Sequence, residues 1–181
     1  MRKALVFLVI LILPVVLFSS VRGRVHFTDE ISYSSYNRIW VSPQDNYFSV
    51  VSLVNNPIIS NDIDFMVTKN FGIGVGVGFG YQKAFFDYNR FVTIPKSLNG
   101  NISAGVVFGL NNLRISVSSL LRASFLLSRN SWISQLGLMA ELSYCLNNGI
   151  TFISSYKYLY NYNLVSSAFS LGLGYSFGGD R

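Results

Sequence analysis

Apolar residues recur at every second position over long stretches of this chain. The pattern is clearest at residues 71–81, where Phe71, Ile73, Val75, Val77, Phe79 and Tyr81 share one face and five glycines, Gly72 to Gly80, share the other. A soluble sandwich strand with an all-glycine face would bury almost nothing there. A strand with lipid on one side and a crowded interior on the other accounts for both faces. The same alternation runs through residues 99–110, 113–127, 131–146, 149–160 and 164–177. Segments of about ten residues or more with this period are the signature of a transmembrane β-barrel.

The connections agree. Asn111-Asn112 and Asn147-Asn148 read as two-residue hairpin turns, since Asn tolerates the positive φ a tight turn needs. With the C-terminus in the periplasm, both turns and Lys69-Asn70 fall on the periplasmic side, where turns are short. The longest connection, residues 82–98, falls outside, where loops are long. Residues 60–68 and 46–54 supply two further strands joined by Asn55-Asn56-Pro57. The expected fold is all-β: an eight-stranded, antiparallel, up-and-down transmembrane β-barrel over residues 46–177. Residues 24–45 are left as a periplasmic segment or extra strand, since 31–41 alternates only loosely; two further strands would make a ten-stranded barrel.

The N-terminus differs from the rest. Met1-Arg2-Lys3 is a positive start, residues 4–18 are apolar, and Ser19-Ser20-Val21-Arg22-Gly23 follows. This is the pattern of a signal peptide covering residues 1–23, with cleavage expected after Gly23. The apolar run is shorter than the roughly 20 residues a spanning helix needs; an uncleaved anchor helix is the alternative. The single cysteine, Cys145, excludes an internal disulfide. It faces inward near a turn and reads as a small filler. Residues 178–181 form a short tail.

Composition sharpens this picture. Of 181 residues, 50% are hydrophobic and only 12% charged, with 15 Phe, 11 Tyr and 2 Trp. That is too little charge to cover a soluble surface. The formal charge is +6, but Arg2, Lys3 and Arg22 lie in the leader region. The remaining basic residues are scattered singly, so no nucleic-acid partner is expected.

The inward positions carry Asp62, Asp64, Glu141, Arg114, Arg122 and Lys157, three acids and three bases. An eight-stranded barrel is just wide enough to be filled by side chains. Buried charges need partners, so these six are expected to form an ion-pair plug, with Glu141 as the first choice of partner for Arg122. The alternative is a switchable gate. Outward aromatics cluster near the strand ends: Phe79, Tyr81, Phe125, Trp132, Tyr158 and Tyr160 outside, and Phe71, Tyr144, Phe152, Tyr175 and Phe177 on the periplasmic side. They read as two interfacial girdles. The long connection holds Lys83, Phe85, Phe86, Tyr88, Arg90, Phe91 and Lys96. These are binding candidates, for lipopolysaccharide phosphates, host glycans or host protein, because binding concentrates on loops held by a rigid scaffold. The alternative is two strands extended above the membrane. Catalysis finds little support. The lone histidine, His26, lies outside the assigned strands and is expected in solvent. No metal set, phosphate loop or cofactor motif is present.

Two stretches resemble a family. Ser170-Leu171-Gly172-Leu173-Gly174-Tyr175-Ser176-Phe177 resembles the closing-strand signal of bacterial outer-membrane proteins, with Ser170, Gly172, Tyr175 and Phe177 in the signal positions. Residues 66–74, MVTKNFGIG, resemble the second hairpin of small OmpA-like and OmpX-like barrel domains. One departure is that Gly178-Gly179-Asp180-Arg181 follow Phe177. The resemblance implies insertion into the outer membrane by the barrel-assembly machinery, contact with outer-membrane lipid and lipopolysaccharide, and a role in surface integrity, adhesion or host contact. It implies no catalytic residue. The expected function is a non-enzymatic outer-membrane surface protein that meets ligands through its loops. A narrow channel for small or apolar solutes is the alternative.

Overall fold

The computed structural model describes residues 20–36, 52–87, 96–127, 130–161 and 164–178. Eight strands close into one antiparallel barrel in chain order. They are β1 (Ser20–Tyr36), β2 (Ser52–Met66), β3 (Phe71–Asp87), β4 (Ser97–Leu110), β5 (Leu113–Leu126), β6 (Ser131–Cys145), β7 (Ile150–Asn161) and β8 (Leu164–Gly178). Every strand pairs with its sequence neighbours, and β8 closes on β1. Closure leaves no strand edge unpaired, which hydrocarbon requires.

The register fixes the shape. Stepping across partners from Arg22 through Asp64, Gly74, Gly105, Ser118, Met139, Lys157 and Ala168, the path re-enters β1 at Ser32, ten residues further on. A stagger of this size in an eight-stranded barrel corresponds to a strand tilt of about 40° and an interior that side chains fill. Apolar side chains coat the exterior, among them Ile73, Val106, Leu138 and Leu171. The core is polar instead: most buried side chains are Ser, Thr, Asn, Gln and charged residues.

The first two strands differ from expectation. Residues 55–57 do not form a turn; β2 runs unbroken through them. The Asn56 side chain points into the lumen, accepts from Asn99 at 3.1 Å and donates to Glu30 at 3.3 Å. Pro57 has no N–H to give, and the β2–β3 ladder skips from Asn55–Lys83 to Ile58–Gly80 around it. The eighth strand comes from Ser20–Tyr36, so the barrel begins well before residue 46. In β1, Val21, Val25, Phe27 and Ile31 are exposed while Arg24, His26, Thr28, Glu30 and Ser32 are buried. Gly23 and Asp29 interrupt the apolar face and hide this alternation in the sequence. Residues 37–51, and with them most of the strand expected over 46–54, lie outside the described residues; 52–54 belong to β2. Because β1 starts at Ser20, a cut after Gly23 would remove its first four residues.

The turns follow local chemistry. Asn111 adopts φ 53° in the two-residue β4–β5 hairpin. The β6–β7 connection is longer than the expected pair of asparagines. The Leu146 N–H donates to Ile150, closing a three-residue loop, and Gly149 at φ 90° is its left-handed residue. Between β2 and β3, the Thr68 hydroxyl accepts from the Phe71 N–H at 3.0 Å.

Candidate functional site: the lumen and the outer rim

All six lumen residues read from the sequence point inward, and the structure joins them through two residues of β1 that the reading missed. The charges form two layers. In the layer nearer the periplasm, Arg114 makes a two-pronged contact with Asp64, at 2.6 and 2.7 Å, and a 2.7 Å contact with Glu141. Arg24 bridges Asp62 and Glu141, the latter at 2.6 Å, and its other terminal nitrogen donates to Ser143 at 2.8 Å. His26 lies beside this group, with Nδ1 3.6 Å from Asp62. The glycine face of β3 makes room: a Cβ at Gly76 would collide with Asp62 and Ser103.

The layer nearer the outside centres on Glu30, which is completely buried. One carboxylate oxygen receives both Arg122 and Lys157, each at 2.7 Å, and the other receives Asn56. Arg122 also donates to Asn101 at 2.9 Å. Arg122 therefore pairs with Glu30 across the barrel, not with Glu141 on the neighbouring strand. Above this layer Asn99 donates to both Asn56 and Gln82, extending the polar fill outward.

The layers carry opposite charge. Two guanidiniums meet three carboxylates below, while one carboxylate meets two cations above. Between them lies a cavity of about 30 Å³, bounded by His26, Ser60, Asp62, Glu141 and Lys157 among others. A second, about 10 Å³, lies by Arg24 and Arg114. The larger is about the size of one or two water molecules.

His26 is thus a buried lumen residue, not a solvent-exposed one, because its inward parity on β1 carries it into the barrel. Cys145 is half-buried at the lower rim, and its thiol donates to the Leu146 carbonyl at 3.4 Å. The girdle aromatics stand exposed on the lipid side, except Phe125, which is half-buried against Trp132 with ring centroids 5.0 Å apart. In β8, the Ser170 hydroxyl bonds Ser155, and Phe177 covers Gly23.

At the outer rim, Lys83, Phe85 and Phe86 belong to β3 rather than to a loop. Residues Ser52–Asn55 of β2 continue the ladder to Asp87, with a bulge that leaves Phe85 unmatched between Ala84 and Phe86. Tyr88, Arg90 and Phe91 lie outside the described residues. Lys96 is exposed at the foot of β4.

A closed eight-stranded barrel, apolar outside and ion-paired inside, is a membrane-spanning structure of one kind. No protein-family model and no curated protein matches the sequence. Solved structures do match. The neisserial surface protein NspA is 18% identical with a TM-score of 0.52, covering 86% of this chain and 97% of NspA. The Yersinia pestis attachment invasion locus protein Ail, in complex with the heparin analogue sucrose octasulfate, is 13% identical with a TM-score of 0.51, covering 87% and 99%. AlkL, in lipid bilayers, is 11% identical with a TM-score of 0.53, covering 90% and 92%.

The fold is that of the small eight-stranded outer-membrane barrels. For this barrel, the charged layers occupy the lumen, and the girdle aromatics stand on the outer face toward the strand ends. The exterior between the girdles suits the outer membrane, where the C-terminal strand pattern also pointed.

Proposed function

We propose that this is a non-enzymatic surface protein: the barrel anchors it in the outer membrane, and its outer rim and loops contact an anionic surface ligand. The observation that carries this reading is the ion-paired lumen. Two oppositely charged, ion-paired layers fill the lumen around a cavity of about 30 Å³, which supports contact at the outer rim over passage of a solute. The rim sequence suits anions, with Lys83, Arg90 and Lys96 among Phe85, Phe86, Tyr88 and Phe91. Arginine and lysine bind phosphate and sulfate groups, and neighbouring aromatics supply apolar contact. That Ail was solved with a polysulfated sugar is consistent with this chemistry on the same fold. Lipopolysaccharide phosphates and host glycans both present it. Insertion by the barrel-assembly machinery through the β8 signal belongs to the same reading.

The test uses the mature protein in liposomes, with sucrose octasulfate and purified lipopolysaccharide as probes. Replacing Lys83, Arg90 and Lys96 together by Ala should weaken binding at least tenfold without changing barrel stability. Unchanged binding refutes the rim reading. Steady single-channel conductance by the unmodified protein in a planar bilayer would favour the channel instead.

A further inference from the structure

The charge layer nearer the periplasm is incomplete as it stands. Among the described residues, His26 Nδ1 is buried without a hydrogen-bond partner, its side chain 5% exposed. Buried polar atoms are paired in the great majority of cases, so the unpartnered imidazole nitrogen points to a missing partner. His26, Asp62 and Glu141 each offer a ligand atom there, all within 4.8 Å of one another. The same three residues border the 30 Å³ cavity, which supplies room for a water as a further ligand. The layer also has one carboxylate more than it has guanidiniums.

We propose that His26, Asp62 and Glu141 form a lumenal site for a divalent transition-metal ion of the zinc type. One imidazole nitrogen and two carboxylate oxygens are a donor set that such ions accept, and a cavity water completes four-coordination. Magnesium and calcium prefer all-oxygen shells and fit less well. Arg24 engages one oxygen of each carboxylate, leaving each a second oxygen for the ion. The ion would tie β1, β2 and β6 together across the barrel. This site stands apart from the rim and does not depend on how the rim functions.

His26 is the chain's only histidine, so its imidazole resonances are assigned without ambiguity. The experiment titrates Zn²⁺ into the untagged mature barrel in detergent micelles and follows those resonances and the urea midpoint. Zn²⁺ should shift the imidazole signals and raise the midpoint, while Mg²⁺ at the same concentration does neither. His26→Ala should weaken Zn²⁺ binding at least tenfold by calorimetry, and Cys145→Ser should leave it unchanged. If His26→Ala does not refold, the wild-type imidazole spectrum still decides. An imidazole unmoved by Zn²⁺, or Zn²⁺ binding that survives His26→Ala, overturns the proposal; in that case a cavity water is the partner of Nδ1.

Discussion

Replacing Glu30 tests the lumen most severely. Its carboxylate is wholly buried and is the acceptor for Arg122 and Lys157, each at 2.7 Å. At that separation and an effective dielectric of about 20, each pair attracts by roughly 6 kcal/mol before desolvation is counted. Desolvation takes back several kcal/mol per ion, so the net worth of the assembly is far smaller. The cost of breaking it is not. Glu30→Ala would leave two cations facing each other with no other acid paired to them among the described residues. Removing one partner of a buried pair costs on the order of 3–5 kcal/mol, and Glu30→Ala belongs at the upper end because two charges are orphaned. Arg122→Ala should cost less, since Lys157 and Asn56 still hold Glu30. Urea unfolding of the refolded protein, followed by tryptophan fluorescence, reads both. The cycle Glu30→Gln, Arg122→Met and the double variant should show a coupling of about 1–3 kcal/mol. The same cycle with Glu141 in place of Glu30 should be close to additive. Glu30→Ala costing under about 1 kcal/mol, or coupling of Arg122 to Glu141 instead, would refute the two-layer account.

Three further expectations follow from facing, turn geometry and the start of the barrel. Leu171→Arg, on the lipid face well up β8, should destabilise by about 2–4 kcal/mol, and Ile73→Arg, close to the periplasmic turn, by about 0–1; equal costs at the two sites, read by the same unfolding assay, would contradict the depth assignment. Buried, inward Ser116 should not follow that scale when replaced by Arg. Gly149→Ala places a side chain at φ 90° against the Tyr175 ring and should cost more than about 1 kcal/mol in unfolding free energy, whereas Asn112→Ala should cost less. Mass spectrometry of the membrane-embedded protein should find an N-terminus at Arg24 or a few residues before it, and no intact Met1; a product lacking Arg24 would be incompatible with its place in the ion network.

The period-2 alternation from Phe71 to Phe177 made six strands, their lipid faces and both girdles legible, because a strand between lipid and a filled lumen must alternate residue by residue. The inward charges from those strands were legible for the same reason. The first strand was not. In β1 the apolar face is interrupted at Gly23 and Asp29, and the inward face carries Arg24, His26 and Glu30, so local pattern gave residues 20–23 to the leader and left the rest without a clear strand. Asn55-Asn56-Pro57 carried the composition of a turn, but Asn56 serves the lumen as a hydrogen-bonding residue. Composition alone cannot separate these uses of Asn, since both exploit the same short amide. What only the tertiary structure decided is pairing. A stagger of ten residues around eight strands brings Glu30 of β1 to Arg122 of β5 and Lys157 of β7, and Arg24 and His26 to Asp62 and Glu141. Parity says which side of the sheet a residue occupies, but height around a closed, tilted barrel depends on the register of every strand at once, and no local segment of the sequence contains that sum.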